Sequence, residues 1–212
     1  MTREEALAVS KPILFNTEMV QAIQDNRKSV TRRVVKIKEH GKEGHITGRP
    51  KWGVALCPDG RYFFNVTLDN VATSTSVAPP YQPGDILYVR ETWVKIGGNV
   101  TALRYAYKAD NERFAPRWRP SIHMPKEAAR IFLRVTDVRV ERLQDMRLVD
   151  CLAEGVVLSS IEKMDFIKGP HIARGRYAGV WDSTIPKKDL DLYGWDANPW
   201  VWVIEFERVE VQ

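Results

Sequence analysis

The sequence predicts an α+β fold, mainly β: a small mixed barrel with two short helices and two large loop or hairpin insertions. Three observations lead there. Short apolar runs alternate with period two near residues 30–37, 86–94, 130–140 and 200–206. Two helical patterns, at 16–26 and 143–153, are interleaved with them. The alternation after Arg130 also changes phase near Thr136 and Asp137, as it does where a bulge bends a closing sheet.

Composition bounds the rest. The chain has 212 residues, 44% of them hydrophobic, and no tract approaching 18 uninterrupted apolar residues, so a soluble single domain without a membrane span is expected. Residues 1–12 read as a flexible N-terminal arm, and 13–212 as one domain with excursions at about 39–80 and 156–196. The first ten residues carry both charge signs and no apolar stretch, which favours a cytoplasmic location. Cys57 and Cys151 make no disulfide framework and have no metal spacing. His40, His45, His123 and His171 fall in loops without ligand spacing, so neither metal nor cofactor is expected. The net charge of +5 suits a phosphate-bearing partner. Seven Trp exceed what a core of this size needs, so some should line a pocket.

Taken in order, Asn16 or Thr17 can cap a helix with Glu18 in its first turn, burying Met19, Val20 and Ile23 and ending at Asn26. From Val30, alternation puts Thr31, Arg33, Val35 and Ile37 on one side and Arg32 and Lys36 on the other, making Thr31 a candidate pocket residue. Pro58-Asp59-Gly60-Arg61 is hairpin-turn chemistry between two apolar runs, and that hairpin should pack across the main sheet. After the turn at Pro83-Gly84-Asp85, a strand aligns Leu87, Val89, Glu91 and Trp93. Glu91 then needs a basic or hydrogen-bonding neighbour, either a ligand or an Arg clamping two strands. Residues 143–153 form a helix that delivers Glu154 and Gly155. The run from Trp200 to Phe206 has large residues on both sides and should be a central strand.

The densest chemistry lies in Asn26-Arg27-Lys28-Ser29-Val30-Thr31-Arg32-Arg33. Arg27, Lys28, Arg32, Arg33, Lys36 and Lys38 fall within the twelve residues 27–38 with no acid among them, as a solvated strand face or a nucleic-acid contact. The stretch resembles the Gly-Arg-Lys-Thr-x-Thr-x-Arg signature of ASCH domains, a branch of the PUA-like β-barrels. Asn26 stands for its Gly and Ser29 for its first Thr. Pro83-Gly84-Asp85-Ile86-Leu87 is similar to the Gly-Asp-x-Leu turn of that family, Leu143 to Gly155 to its helix ending in Glu, and Trp202 to Phe206 to its closing strand. The likeness spans 13–207, and is greatest to the long, Trp-rich members encoded by phages and prophages.

The resemblance implies a metal-independent amidohydrolase acting on an N-acylated nucleoside such as N4-acetylcytidine, with Lys28, Thr31 and Glu154 as the catalytic set. A threonine hydroxyl needs a base, and a lysine serves only when neutral. The flanking Arg residues and desolvation favour the neutral amine, while a close carboxylate opposes it. Arg33 can hold an oxyanion, and Glu91, Trp93, Trp181, Trp195 and Asn198 are candidate substrate contacts through stacking and base-edge hydrogen bonds. Two alternatives stay open: an RNA-binding module without catalysis, and a ribonuclease using a divalent metal at Glu91 or Glu154.

Overall fold

A computed structural model describes residues 1–39, 42–44, 55–68, 71–96, 104–111, 113 and 117–211. The helices are α1 (Arg3–Val9), α2 (Thr17–Gln24), α3 (Leu148–Ala153), α4 (Ser160–Met164), α5 (Lys168–Thr184) and α6 (Leu190–Tyr193). The strands are β1 (Lys11–Leu14), β2 (Val30–Val34), β3 (Ile37–Glu39), β4 (Lys42–Gly44), β5 (Ala55–Leu56), β6 (Tyr62–Leu68), β7 (Val71–Val77), β8 (Ile86–Arg90), β9 (Trp93–Ile96), β10 (Arg104–Tyr107), β11 (Phe132–Arg142) and β12 (Trp200–Val209). The fold is mixed α+β, as expected.

The main sheet runs β1-β8-β11-β12-β2. β12 is central, paired antiparallel to β11 and to β2, as its two-sided apolar pattern predicts. β1 and β8 run parallel at the other edge, and Pro12 is tolerated because β1 is an edge strand. The register of β11 slips between Val135 and Asp137, where the sequence changes phase. Among the described residues no ladder joins β1 to β2, so the sheet stays open and the expected closed barrel is not formed.

Three further expectations are corrected. Residues 1–12 are not a loose arm. Thr2 and Glu5 form a capping box that starts α1, Ala6 is fully buried, and Arg3 donates to Ala129 O at 3.1 Å. The second excursion is helical. Ala173, Tyr177 and Trp181, spaced i, i+4 and i+8 along α5, pack into a core with Cys151, Val201 and Val203. The strand expected over 86–94 breaks after Arg90, because β9 pairs with β10 rather than with the main sheet. Trp93 consequently joins Ile86, Tyr88 and Phe132 instead of the core holding Leu87 and Val89.

The first excursion does carry the predicted hairpin. β5 pairs with β6 through a turn with Gly60 at φ +77°. Tyr62 meets Trp202 edge-on at 5.2 Å and donates to Val138 O, which fixes the hairpin across β11 and β12. No helix among the described residues is long and apolar enough to cross a membrane.

Candidate functional site

Asn16 caps α2 by accepting from Met19 N at 2.8 Å, and Asn26 ends it at φ +56°. The Arg27 and Lys28 amides both donate to Ala22 O, while Ser29 N donates to Ala153 O at the end of α3. Those bonds pin the turn before β2 between two helix termini. Lys28 and Glu154 come opposite each other in an isolated antiparallel bridge, although 126 residues separate them. Gly155 follows at φ +98°, close against Ala22.

The Lys28 ammonium donates to Glu154 Oε2 at 2.6 Å, to Val30 O at 2.7 Å and to Glu154 O at 3.0 Å. Its side chain is 0% exposed and that of Glu154 2%. The second carboxylate oxygen of Glu154 accepts from Arg32 at 3.1 Å and from the Tyr177 hydroxyl at 3.2 Å. Arg32 reaches Glu141 as well, at 3.3 Å. Lys28, Arg32 and Glu154 are thus held together away from solvent, and Arg32 continues to the partly exposed Glu141, itself paired with Arg139. Burial pushes the Lys28 amine below its ordinary range, and Arg33 and Arg32 push the same way, against Glu154. Burial raises the Tyr177 phenol well above its ordinary value, so it stays protonated and donates.

Thr31 is 1% exposed and pairs in register with Ile204. It shares its face of β2 with Arg33, as alternation predicts, and its hydroxyl is not among the three Lys28 acceptors. Arg33 donates to Leu14 O at 2.7 Å, so its side chain spans the open edge between β2 and β1. Lys28 Nζ and the Arg33 guanidinium lie 5.7 and 5.4 Å from the Phe15 ring centroid.

Phe15 and Arg33 line a cleft of about 570 Å³ together with Met19, Tyr81, Arg90 and Ser121. A smaller cavity, about 60 Å³, is bounded by Met19, Ala22, Glu154, Tyr177 and Val180. Met19 is common to both walls, and α5 contributes to both through Thr184 and Val180.

The remaining candidates lie elsewhere. Both Glu91 oxygens accept from Arg130 at 2.9 Å, so this carboxylate is the strand clamp and not a ligand contact. Trp93 is buried edge-on against Tyr105, outside the cleft. Trp181 is no lid: its indole donates to Tyr193 O at 2.7 Å and anchors α5 to α6. Trp195 packs on Tyr177, with its amide held by Asp182. Asn198 adopts φ +47° and accepts from Gln144 N at 2.8 Å, a turn role. His40 and His45 lie outside the described residues.

The basic stretch is dispersed rather than presented as one surface. Lys28 and Arg32 are buried in ion pairs, the exposed Arg27 is paired with Asp25, Arg33 turns to Leu14, and the exposed Lys36 lies over the Tyr193 ring.

Sequence reading missed Arg32, Glu141 and Tyr177 as members of the network, and Phe15, Met19, Tyr81 and Arg90 as cleft residues. The i, i+4, i+8 spacing around Tyr177 was the available signal for that residue. No family model matches the chain, and neither the curated proteins nor the solved structures contain a significant match to it.

Proposed function

We propose that the chain is an ASCH-type, PUA-like amidohydrolase that removes an N-acyl group from a modified nucleoside or nucleotide. The observation that carries the reading is the convergence of Lys28 and Glu154 at 2.6 Å, both side chains buried, beside a cleft. Desolvation lowers the Lys28 pKa, so the amine that has lost its proton to bulk water serves as the base. The amine then takes the proton of the Thr31 hydroxyl as its oxygen attacks the acyl carbon. The C–N bond breaks as the leaving amine takes the proton from Lys28; water, deprotonated by Lys28, then attacks the acyl carbon, the bond to Thr31 oxygen breaks, and that oxygen takes the proton back from Lys28. Met19 and Tyr177 must swing aside for a substrate, since both reacting side chains are closed to solvent here.

Recognition without turnover is a second reading, favoured by the full engagement of the three Lys28 donors. An extended RNA track has less support, because the cations of 27–36 are mostly consumed in ion pairs. A metal-dependent ribonuclease has less again, since Arg130 already occupies both oxygens of Glu91. Incubation with a panel of N-acylated nucleosides, with product identified by mass spectrometry, separates hydrolysis from binding. Release of the free base amine supports the proposal; binding of the panel without product from any member removes it.

A further inference from the structure

The larger cleft has a charge character that the hydrolytic trio does not explain. Its lining includes two guanidinium groups, Arg33 and Arg90, and no carboxylate. Neither Arg forms an ion pair among the described residues. Arg33 donates to Leu14 O, and Arg90 donates to Ile122 O. Arg90 Nε is buried with no hydrogen-bond partner. Unsatisfied buried donors are scarce in folded proteins and mark places where a partner is missing. Arg27, Arg130, Arg139 and Arg176, by contrast, each hold a carboxylate. Two unpaired guanidiniums in one concave site form an attractive field for an anion, best matched by the several oxygens of a phosphate.

The rest of the wall is mainly apolar, with Asn16, Thr92, Ser121 and Thr184 as its polar members. Tyr81 contributes a half-buried ring and Met19 an adaptable thioether, Phe15 is buried behind them in the core, and the Tyr81 hydroxyl is tied to Pro12 O at 2.7 Å. A volume of about 570 Å³ falls in the range of small-molecule pockets and is too small for a folded polymer. The cleft opens at the carboxyl ends of the parallel strands β1 and β8, where Leu14, Phe15, Arg90 and Thr92 leave the sheet.

We propose that this cleft is a mononucleotide site in which Arg33 and Arg90 hold the phosphate and the half-buried Tyr81 ring stacks on the base. It rests on the nucleoside reading above for the identity of the ring and not on hydrolysis. The protein then holds a nucleotide more tightly than the corresponding neutral nucleoside.

Isothermal titration of the full chain with the four ribonucleoside 5′-monophosphates, their nucleosides, inorganic phosphate and a ten-nucleotide RNA tests it. The expected result is a monophosphate bound at least tenfold more tightly than its nucleoside. Arg90→Met should remove that preference with nucleoside affinity kept, and Arg90→Lys should retain part of it. Equal affinity for nucleotide and nucleoside overturns the proposal, as does phosphate alone binding as tightly as the nucleotide. RNA binding far more tightly than any monophosphate, with steep salt dependence, also overturns it in favour of a polymer groove. Loss of fold in Arg90→Met is detected by circular dichroism, and the Arg90→Lys comparison with wild type then decides. Failure here leaves the hydrolytic reading untouched, because product release from a neutral acyl-nucleoside is scored separately.

Discussion

The Lys28 ammonium and the Glu154 carboxylate meet at 2.6 Å with neither side chain open to solvent, and Glu154 alone is shared with a second cation, Arg32. The two partners are therefore not equivalent. Glu154→Leu leaves two buried cations short of a counter-charge and should cost about 3–5 kcal/mol. Lys28→Met leaves Glu154 held by Arg32 and Tyr177, strips a donor from two carbonyls, and should cost about 1–3 kcal/mol. Urea unfolding checks the order, and a Lys28 variant at least as destabilised as the Glu154 variant contradicts it.

Two glycines should respond oppositely to alanine. Gly155 sits at φ +98°, and an added Cβ would lie 2.9 Å from Ala22 Cβ, so Gly155→Ala should lose about 1–3 kcal/mol. Gly175 lies within α5 with open space around a new Cβ, so Gly175→Ala should gain about 0.5–1 kcal/mol. Thermal melts of the two variants should move in opposite directions.

Burial lowers the Lys28 pKa in the folded state from 10.5. Between the folded value and 10.5 the unfolded chain binds more protons at this residue, so its contribution to stability is full above 10.5 and is lost as pH falls through that window. Lys28→Met lacks this term, and the stability difference between wild type and variant should shift in favour of wild type as pH rises. Hydrolysis, where the neutral amine is the base, should climb with pH through the same lowered pKa. A pH-independent difference in stability refutes the assignment of the shift to Lys28.

The two thiols should separate cleanly. Burial pushes Cys151 up to about 11 and leaves it 0% exposed, whereas Cys57 is partly accessible. A thiol reagent at pH 8 should label Cys57 in the native protein, and Cys151 only after denaturation.

Local patterns carried much of the architecture. Asn16 acts through a side-chain cap three residues away, Asn26 and Gly60 through their own backbone preferences, and the phase slip at Thr136 is a property of one strand, so each was readable locally. Alternation likewise put Thr31 and Arg33 on one face of β2. What failed depended on partners distant in the chain. Glu91 and Trp93 share parity in sequence, yet β9 leaves the main sheet for β10 and Arg130 claims the carboxylate. The Thr2 and Glu5 capping box is legible in the sequence, and it seeds α1 where a flexible arm is expected. Arg90 gave no signal, because its place in the cleft is set by β1 and the 120–122 segment, brought together only by the fold.

The central claim is that Lys28, Thr31 and Glu154 act as one unit on an acyl amide. Single-turnover conversion of N4-acetylcytidine by wild type, Lys28→Met, Thr31→Val and the double variant measures this directly. The account predicts product from wild type, a fall of at least about 100-fold in each single variant, and no further fall in the double. Turnover at the parental rate in either folded single variant, or independent losses that multiply in the double, would contradict it.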